Sequence, residues 1–306
     1  MKNRFLIVGD RVSKICDLLN IDFDLMLGVE ADFHDYHYEV ILDKLSNVIE
    51  LLPLALKKFK NNYQGVYNGN YYTIYMEYGL IGITDTNNDK CYIGLKENLY
   101  SRQSFYLIRS VVNKHVNRLV YKTYVPLHAG GILTRHKTSI LFTGTKMSGK
   151  STLTKYFCDK GNVLLNDDLI VFNPLDVSVA GFSEGFYIRP DALIGCDKNG
   201  IKAFKEIAPG RKFFMDNPNR RIYNRIKTSC VVLLDRDFGK SFKSDCSRQE
   251  ALDLFMRSQS DCYQTKEEYQ KLSLSFYLLW ANSRIVYTNL QSIDALEVFL
   301  HTEEYL

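Results

Sequence analysis

Residues 139–157 read SILFTGTKMSGKSTLTKYF, and this stretch is the strongest indication of how the second half of the chain folds. Its middle, Gly144–Ser151, matches the pattern GxxxxGKS without a gap. The apolar run 139–143 before it is typical of a buried strand, and the run 152–157 after it is typical of a helix. A strand, a loop and a helix in this order are the setting in which the pattern binds phosphate. The sequence therefore predicts a phosphate-binding loop.

The residue types in this loop suit the phosphates of a nucleotide. Gly144 and Gly149 allow the tight turn in which successive amides point inward at an anion, and the start of the following helix favours the same charge. Lys150 brings a positive charge to the terminal phosphates, and Ser151 offers a hydroxyl to Mg²⁺. The residues expected to bind the nucleotide are Gly144, Thr145, Lys146, Met147, Ser148, Gly149, Lys150, Ser151 and Thr152.

Two adjacent acids, Asp167 and Asp168, stand downstream of the loop between the short apolar runs 163–165 and 169–172. Phosphoryl transfer needs one carboxylate that holds Mg²⁺ and, where a hydroxyl attacks, another that orients it or takes its proton. The two acids can divide these roles in either order. The alternative is a solvated turn, because Asn-Asp-Asp is also good turn chemistry.

His128 begins the segment His-Ala-Gly-Gly, just before the strand of the loop. Two glycines beside a histidine permit a ligand to approach the backbone closely. His128 is therefore a candidate for the phosphate site, and the alternative is a histidine that only supports the fold.

Composition and charge narrow the class of protein. The 306 residues are 46% hydrophobic and 24% charged, which predicts a globular chain of two domains. A net charge of +4 is too small to indicate nucleic acid as a partner. The seven cysteines are widely spaced without a CxxC pair, which argues against a zinc site or a disulfide framework and favours a cytoplasmic setting. No apolar stretch approaches the roughly 18 residues that span a membrane, and Phe5–Val8 is too short for a signal-peptide core.

The patterns along the chain predict an α+β domain at residues 1–119 and an α/β domain at residues 120–306. In the first domain we expect helices at Val12–Leu19 and Val40–Phe59, and a hairpin of Tyr71–Thr84 with Cys91–Leu95. The strands expected in the second are Leu127–Leu133, Ser139–Thr143, Val163–Leu165, Leu169–Phe172 and Cys230–Leu234. The expected helices are Thr152–Asp159, Glu250–Arg257, Glu267–Asn282 and Ile293–His301.

Residues 127–172 resemble the core of the HPr kinase family, whose P-loop kinase fold is related to phosphoenolpyruvate carboxykinase. The shared pattern is a histidine followed by small residues, a strand, GxxxxGKS, a helix ending near glycine, and an apolar run into Asp-Asp. The resemblance does not extend to the first domain. It implies an α/β fold with a P-loop kinase core of the HPr kinase/phosphoenolpyruvate carboxykinase type, preceded by the α+β domain.

The resemblance also implies roles for the matching residues. Asp167 looks like the catalytic acid/base of the family and Asp168 like its partner near the metal, although the two can be exchanged. Ser151 would then bind Mg²⁺, Lys150 would hold phosphate, and His128 would line the phosphate site.

The chain departs from the family at two places. Thr152 stands where HPr kinases carry glutamate, and residues 181–191 read GFSEGFYIRPD in place of an Arg-Gly signature. This segment is similar to an HPr-kinase-related branch that is often found beside peptide-modification genes, and there an arginine follows a strand. Arg189 is thus a candidate phosphate or substrate contact, and a surface arginine before Pro190 is the alternative. These departures argue against HPr itself as the substrate and against the reverse phosphorylase activity.

The expected activity is transfer of the γ-phosphoryl group of ATP to a hydroxyl, with serine favoured, of a protein, peptide or small molecule. The expected cofactors are ATP and Mg²⁺, while GTP or pyrophosphate in place of ATP stays open, as does a homo-oligomer. The first domain is expected to recruit the substrate. One alternative is a nucleotide-binding regulatory protein without phosphoryl transfer. An enzyme like phosphoenolpyruvate carboxykinase ranks third, because the additional metal ligands and arginines it needs are not found upstream.

Overall fold

A computed structural model gives the protein a mixed α/β structure in two compact units, Met1–Lys122 and Thr123–Leu306. The residues that the structure describes are 6–7, 39–59, 62–88, 90–96, 111, 114–115, 118, 124–182, 185–188, 204–208, 212–216, 222–236, 242–259, 263 and 265–306. The helix expected at Val12–Leu19 lies outside them. Among the described helices, none combines the length and the apolar character needed to cross a lipid bilayer.

The described part of the first unit is built on a mixed sheet of six strands in the order β1-β2-β6-β5-β4-β3. Its elements are β1 (Leu6–Ile7), β2 (Glu39–Lys44), α1 (Leu45–Glu50), α2 (Leu54–Lys57), β3 (Tyr63–Tyr67), β4 (Asn70–Tyr75), β5 (Leu80–Asp85) and β6 (Lys90–Leu95). The strands β1, β2 and β6 run parallel, whereas β3 to β6 form an antiparallel meander.

Two predictions for this unit need correction. The single helix predicted over Val40–Phe59 was wrong. Residues 39–44 pair with β6 as a parallel strand, and this pairing overrides the helical spacing. The remainder forms two short helices, α1 and α2, which are separated at residues 51–53. The hairpin of β5 and β6 is confirmed. The run Tyr71–Thr84 is however two strands, because the 3₁₀ turn Met76–Tyr78 and Gly79, with a φ of 61°, reverse the chain.

The described part of the second unit contains strands β7 to β17 and helices α3 to α6. The strands are β7 (Val125–Leu127), β8 (Ala129–Leu133), β9 (Ser139–Gly144), β10 (Val163–Asn166), β11 (Ile170–Asn173), β12 (Ser178–Phe182), β13 (Gly185–Ile188), β14 (Phe204–Ala208), β15 (Lys212–Asp216), β16 (Ile222–Leu234) and β17 (Arg284–Thr288). The helices are α3 (Lys150–Asp159), α4 (Arg248–Ser258), α5 (Lys266–Asn282) and α6 (Ile293–Thr302).

The main sheet of this unit has the strand order β10-β8-β9-β16-β12-β11-β7, and β17 also pairs with β16. The strand β16 is 13 residues long and serves both parts of the sheet. Its first half pairs antiparallel with β12, and its second half lies parallel between β9 and β17. A separate three-stranded sheet has the order β13-β15-β14.

The register of these strands places the ends of several strands at one edge of the sheet. Leu234 at the end of β16 pairs with Gly144 of β9 and with Thr288 of β17. On the other side of β9, Thr143 pairs with Ala129 at the start of β8, and Gly131 of β8 pairs with Asn166 at the end of β10. The lateral order along this edge, which we call the loop edge, is therefore β10, β8, β9, β16, β17.

A buried cluster beneath this edge fixes α3 against the sheet. Phe142 of β9 and Phe157 of α3 are both fully buried, and their rings stack with centroids 5.6 Å apart. Leu296 and Leu300 of α6 and Val232 of β16 belong to the same cluster. Because each such side chain loses about 1.5–3 kcal/mol if exposed, this packing holds the strand and helix on either side of the loop rigidly.

Candidate functional site

The GxxxxGKS pattern lies where the sequence predicted it, between a strand and a helix. The strand β9 ends at Gly144, and α3 begins at Lys150. Gly149 is the N-cap residue of α3, with a left-handed φ of 99°, and it offers no side chain to cap the first amides. The strand–loop–helix prediction is thus confirmed, and the N-terminus of α3 faces the loop.

Both glycines of the pattern are required by their surroundings. A Cβ atom on Gly144 would lie 2.2 Å from the carbonyl oxygen of Leu234 and 2.6 Å from Oγ of Ser148. A Cβ atom on Gly149 would lie 2.3 Å from Cδ1 of Leu290, in addition to the strained φ. A larger residue at position 144 would have to move the backbone of Leu234, and one at position 149 would have to displace the Leu290 side chain and adopt a strained φ.

Lys150 holds its charge inside the loop. Its side chain is nearly buried, with the residue 7% exposed, and Nζ donates to the carbonyl oxygens of Gly144 at 2.9 Å and Thr145 at 3.2 Å. A buried ammonium group is costly unless it is paired with acceptors or an anion. The loop therefore holds a fixed positive charge beside the uncapped start of α3.

Ser148 adds a second feature that suits an anion. Its residue is 3% exposed, and among the described residues Oγ has no hydrogen-bond partner. Buried hydroxyls nearly always have a partner, so a ligand atom at this place would satisfy it. Of the other loop residues, Thr145 and Ser151 are half-buried, whereas Lys146, Met147 and Thr152 are exposed.

Two neighbouring extended segments are interrupted at the same level of the sheet. These interruptions bring His128 and the two acids together. The segment 125–133 is divided by His128 into β7 and β8, and the segment 163–173 is divided by residues 167–169 into β10 and β11. Ile170 pairs with Leu127 on one side of the break, and Asn166 pairs with Gly131 on the other. The expected single strand over Leu127–Leu133 is thus wrong at His128, and the break lies at the loop edge.

His128 and Asp168 face each other across this break. Nδ1 of His128 is 3.2 Å from Oδ1 of Asp168 and 3.2 Å from its carbonyl oxygen. The side chain of His128 is 28% exposed and that of Asp168 is 64% exposed. Their polar groups therefore meet at the surface, where a substrate can reach them.

Asp167 differs from its neighbour in burial. Oδ1 of Asn166 accepts from the amides of Asp168 at 2.8 Å and Leu169 at 2.9 Å, so the segment is a turn, as the alternative interpretation expected. The Asp167 residue is nevertheless only 2% exposed, and a solvated turn does not bury a carboxylate. The turn backbone thus turns one acid inward and leaves the other outside.

The buried acid lies beside α3. A Cβ atom on Gly130 would be 2.2 Å from Oγ1 of Thr154 in α3 and 3.4 Å from the carbonyl oxygen of Asp167. Burial, with smaller contributions from the carboxylates of Asp159 and Asp167, raises the pKa of the Cys158 thiol to about 12. Asp167 therefore lies near α3, the helix that follows the loop Gly144–Gly149.

The glycines after His128 have a different role from the one expected. Thr154 occupies the space above Gly130, and Ile170 and Leu141 lie 3.0 Å and 3.2 Å from a Cβ atom on Gly131. The expectation that these glycines admit a ligand was wrong. They allow α3 and β11 to pack closely on β8.

Gln259 positions His128 but has no motif in the sequence. It is fully buried after the end of α4; its Oε1 accepts from the amide of His128 at 2.6 Å, and its Nε2 donates to the carbonyl oxygen of His128 at 3.2 Å. Nε2 also donates to Oγ1 of Thr143 at 2.9 Å. The side chain of Gln259 thus replaces the strand pairing that the backbone of His128 lacks.

Asp235 is a third carboxylate at the loop edge that the sequence interpretation missed. It follows the buried run 231–234 and comes directly after Leu234, the partner of Gly144. Tyr287 donates to its Oδ2 at 2.9 Å, and Arg257 lies 3.9 Å from the same atom. Burial, together with the hydrogen bond and charge of Asp235, raises the pKa of Tyr287. An acid directly after a four-residue apolar run was the signal that could have identified it.

The remaining site predictions concern Arg189 and the metal. Arg189 lies outside the described residues. Within the described ranges, no group of three or more His, Cys, Asp or Glu side chains is placed to hold a metal ion. The hydroxyl of Ser151 and the carboxylate of Asp168 are oxygen donors of the kind that Mg²⁺ uses, and Mg²⁺ commonly takes one or two such groups together with substrate phosphates and water. This donor set fits a metal that arrives with the nucleotide.

Comparison with known proteins gives no independent assignment. No protein-family model matches the chain, and no curated protein sequence matches it.

Proposed function

We propose that this protein is an ATP-dependent kinase related to the HPr kinase family, which transfers the γ-phosphoryl group to a hydroxyl of a protein, peptide or small molecule, with serine favoured. One arrangement supports the proposal. The buried ammonium of Lys150 and the inward hydroxyl of Ser148 lie at the same sheet edge as the His128–Asp168 pair and the buried Asp167. Phosphoryl transfer depends mainly on such positioning and charge neutralisation.

The residues then divide the work according to their burial. The loop amides, Lys150 and Ser148 bind the phosphates and hold them still. Asp167, shielded from water, orients the attacking hydroxyl and accepts its proton, while exposed Asp168 and the hydroxyl of Ser151 hold Mg²⁺. Mg²⁺, when bound, neutralises charge on the phosphate oxygens. His128 keeps the Asp168 side chain in place.

Two substitutions test the binding and transfer steps separately. Lys150→Ala removes charged hydrogen bonds of about 1.5–3 kcal/mol, so ATP affinity measured by calorimetry should fall by at least roughly tenfold. Asp167→Asn should leave ATP affinity unchanged and lower the rate of transfer by about 10²–10⁴-fold. The transfer is measured with labelled ATP and a cell lysate that contains the acceptor.

Matched controls lie on the same helix. Lys155→Ala and Asp159→Asn alter an exposed ion pair on α3, 2.5 Å long, and should change neither measurement. Unchanged ATP affinity in Lys150→Ala would remove the loop from the proposal. A full rate of transfer by Asp167→Asn would exclude Asp167 as the acid/base. ATP binding by the wild type without any labelled product would favour the alternative of a nucleotide-binding regulatory protein.

A further inference from the structure

Along the loop edge, the loop lies between the pair Asp167 and Asp168 on one side and the ends of β16 and β17 on the other. Asp167, Asp168 and His128 lie on the β8 and β10 side of the loop, whereas the ends of β16 and β17 lie on the other side, together with Asp235, whose Oδ2 accepts from Tyr287. Adjacent strands are about 4.8 Å apart, so the end of β17 lies roughly 10 Å from β9, on the side away from Asp167 and Asp168. A triphosphate whose terminal phosphate points at Asp167 and Asp168 therefore directs its sugar and base toward β17.

The segment after β17 covers the loop at this place. Leu290 opens the 3₁₀ turn Leu290–Ser292, and its side chain packs directly on Gly149, where a Cβ atom would be 2.3 Å from Cδ1. The turn is held by Asn289, 6% exposed, whose Oδ1 accepts from the amide of Gln291 at 2.9 Å. Leu290 is thus presented to the loop by a fixed backbone.

Two large apolar side chains are exposed beside the loop. Leu290 is 36% exposed although it packs on Gly149. Met147, two positions before Gly149 in the loop, is 54% exposed and has a left-handed φ of 67°. Single exposed apolar residues are common on protein surfaces. These two are distinguished by their place, since both flank the start of α3, where a nucleotide would leave the loop.

We propose that the base of the bound nucleotide packs against Leu290, with Met147 at its edge, so that the segment Asn289–Ser292 forms the nucleoside subsite. This inference rests on the proposed phosphate loop and extends it to the base. An aliphatic side chain contacts the ring face, which adenine and guanine share, and does not read the exocyclic groups. The contribution of Leu290 is therefore the same for ATP and for GTP.

The test compares nucleotides with a phosphate chain that has no nucleoside. Calorimetry with Mg²⁺ and ATP, GTP or inorganic tripolyphosphate is performed on the full chain and on Leu290→Ala and Met147→Ala. Leu290→Ala should weaken ATP and GTP by about fivefold to thirtyfold, in line with one buried aliphatic contact, and leave tripolyphosphate unchanged. Met147→Ala should show a smaller loss of the same kind. The control Leu175→Ala changes an 86% exposed residue of the same unit and should change none of the affinities.

The outcomes distinguish a failure of the proposed nucleoside subsite from a failure of the proposed phosphate loop. Leu290→Met keeps an apolar contact and should retain ATP binding, which guards against a folding defect in the alanine variant. The subsite is overturned if Leu290→Ala binds ATP as tightly as the control, or if it loses tripolyphosphate to the same extent as ATP. A wild-type chain that binds tripolyphosphate no more weakly than ATP also overturns it. A wild-type chain that binds neither overturns the phosphate loop itself.

Discussion

Replacing Gln259 with alanine should destabilise the second unit and displace His128. The substitution removes one hydrogen bond from the amide of His128, one to its carbonyl oxygen and one to Oγ1 of Thr143, which is 2% exposed. Each bond contributes about 1 kcal/mol, and a buried group left without a partner costs about 1–3 kcal/mol. The free energy of unfolding should therefore fall by about 2–4 kcal/mol, which corresponds to a drop in Tm of roughly 5–15 °C.

The assay is urea unfolding followed by tryptophan fluorescence. Trp280 is the one tryptophan of the chain and lies in α5, so its signal reports on the second unit. Gln249→Ala is the matched control, because this exposed glutamine of α4 bonds only locally to Asp253, at 2.9 Å, and its loss should change the free energy by less than about 0.5 kcal/mol. Gln259→Glu keeps an acceptor for the His128 amide but loses the donor bonds to His128, Thr143 and Ser258 and buries a carboxylate beside the carbonyl oxygen of His128, so it should destabilise at least as much as Gln259→Ala. If Gln259→Ala lowers the free energy of unfolding no more than Gln249→Ala does, the hydrogen bonds of Gln259 do not stabilise the break at His128.

Two further predictions concern packing and pH. Gly130→Ala places a methyl group 2.2 Å from Oγ1 of Thr154 and should cost about 1–3 kcal/mol in the same urea experiment, and adding Thr154→Ala should recover part of this loss; additive losses would contradict the clash. Burial, assisted by the positive charges of Arg118 and Lys114, lowers the pKa of His115 from 6.5 to about 3. Because the unfolded chain then binds one more proton, the stability that His115 contributes is complete above about pH 6.5 and falls by up to about 1.4 kcal/mol per pH unit toward pH 3. Circular dichroism of His115→Gln should show a shallower fall of stability over this range than the wild type, and an equal slope in both would exclude the effect.

Local sequence determined much of the second unit. The helices α4 and α5 begin at capping boxes, Ser247 with Glu250 and Thr265 with Glu268, and both were predicted to within two residues. The strand and helix around the phosphate loop followed from hydrophobic pattern and glycine placement. These features depend on residues close together in the chain, which is why the sequence alone suffices.

Features that depend on distant pairing were not accessible in the same way. Apart from His128, the residues of Leu127–Leu133 are apolar or small, and a single histidine does not reveal that pairing passes there from one partner strand to another. The glutamine that stabilises this break is 131 residues away. The first half of β16 was missed because apolar and polar residues do not alternate regularly over Ile222–Ser229. Its strand structure comes from pairing with β12.

The continuity of β16 has a consequence for how the second unit melts. One unbroken backbone serves the half of the sheet that carries the loop and the half formed by β7, β11 and β12. Local opening of either half breaks hydrogen bonds of β16, the strand on which the other half also depends. The two halves therefore unfold as one cooperative unit. An acceptor or nucleotide that tightens the loop would then also slow hydrogen exchange in β12, on the far side of the same strand.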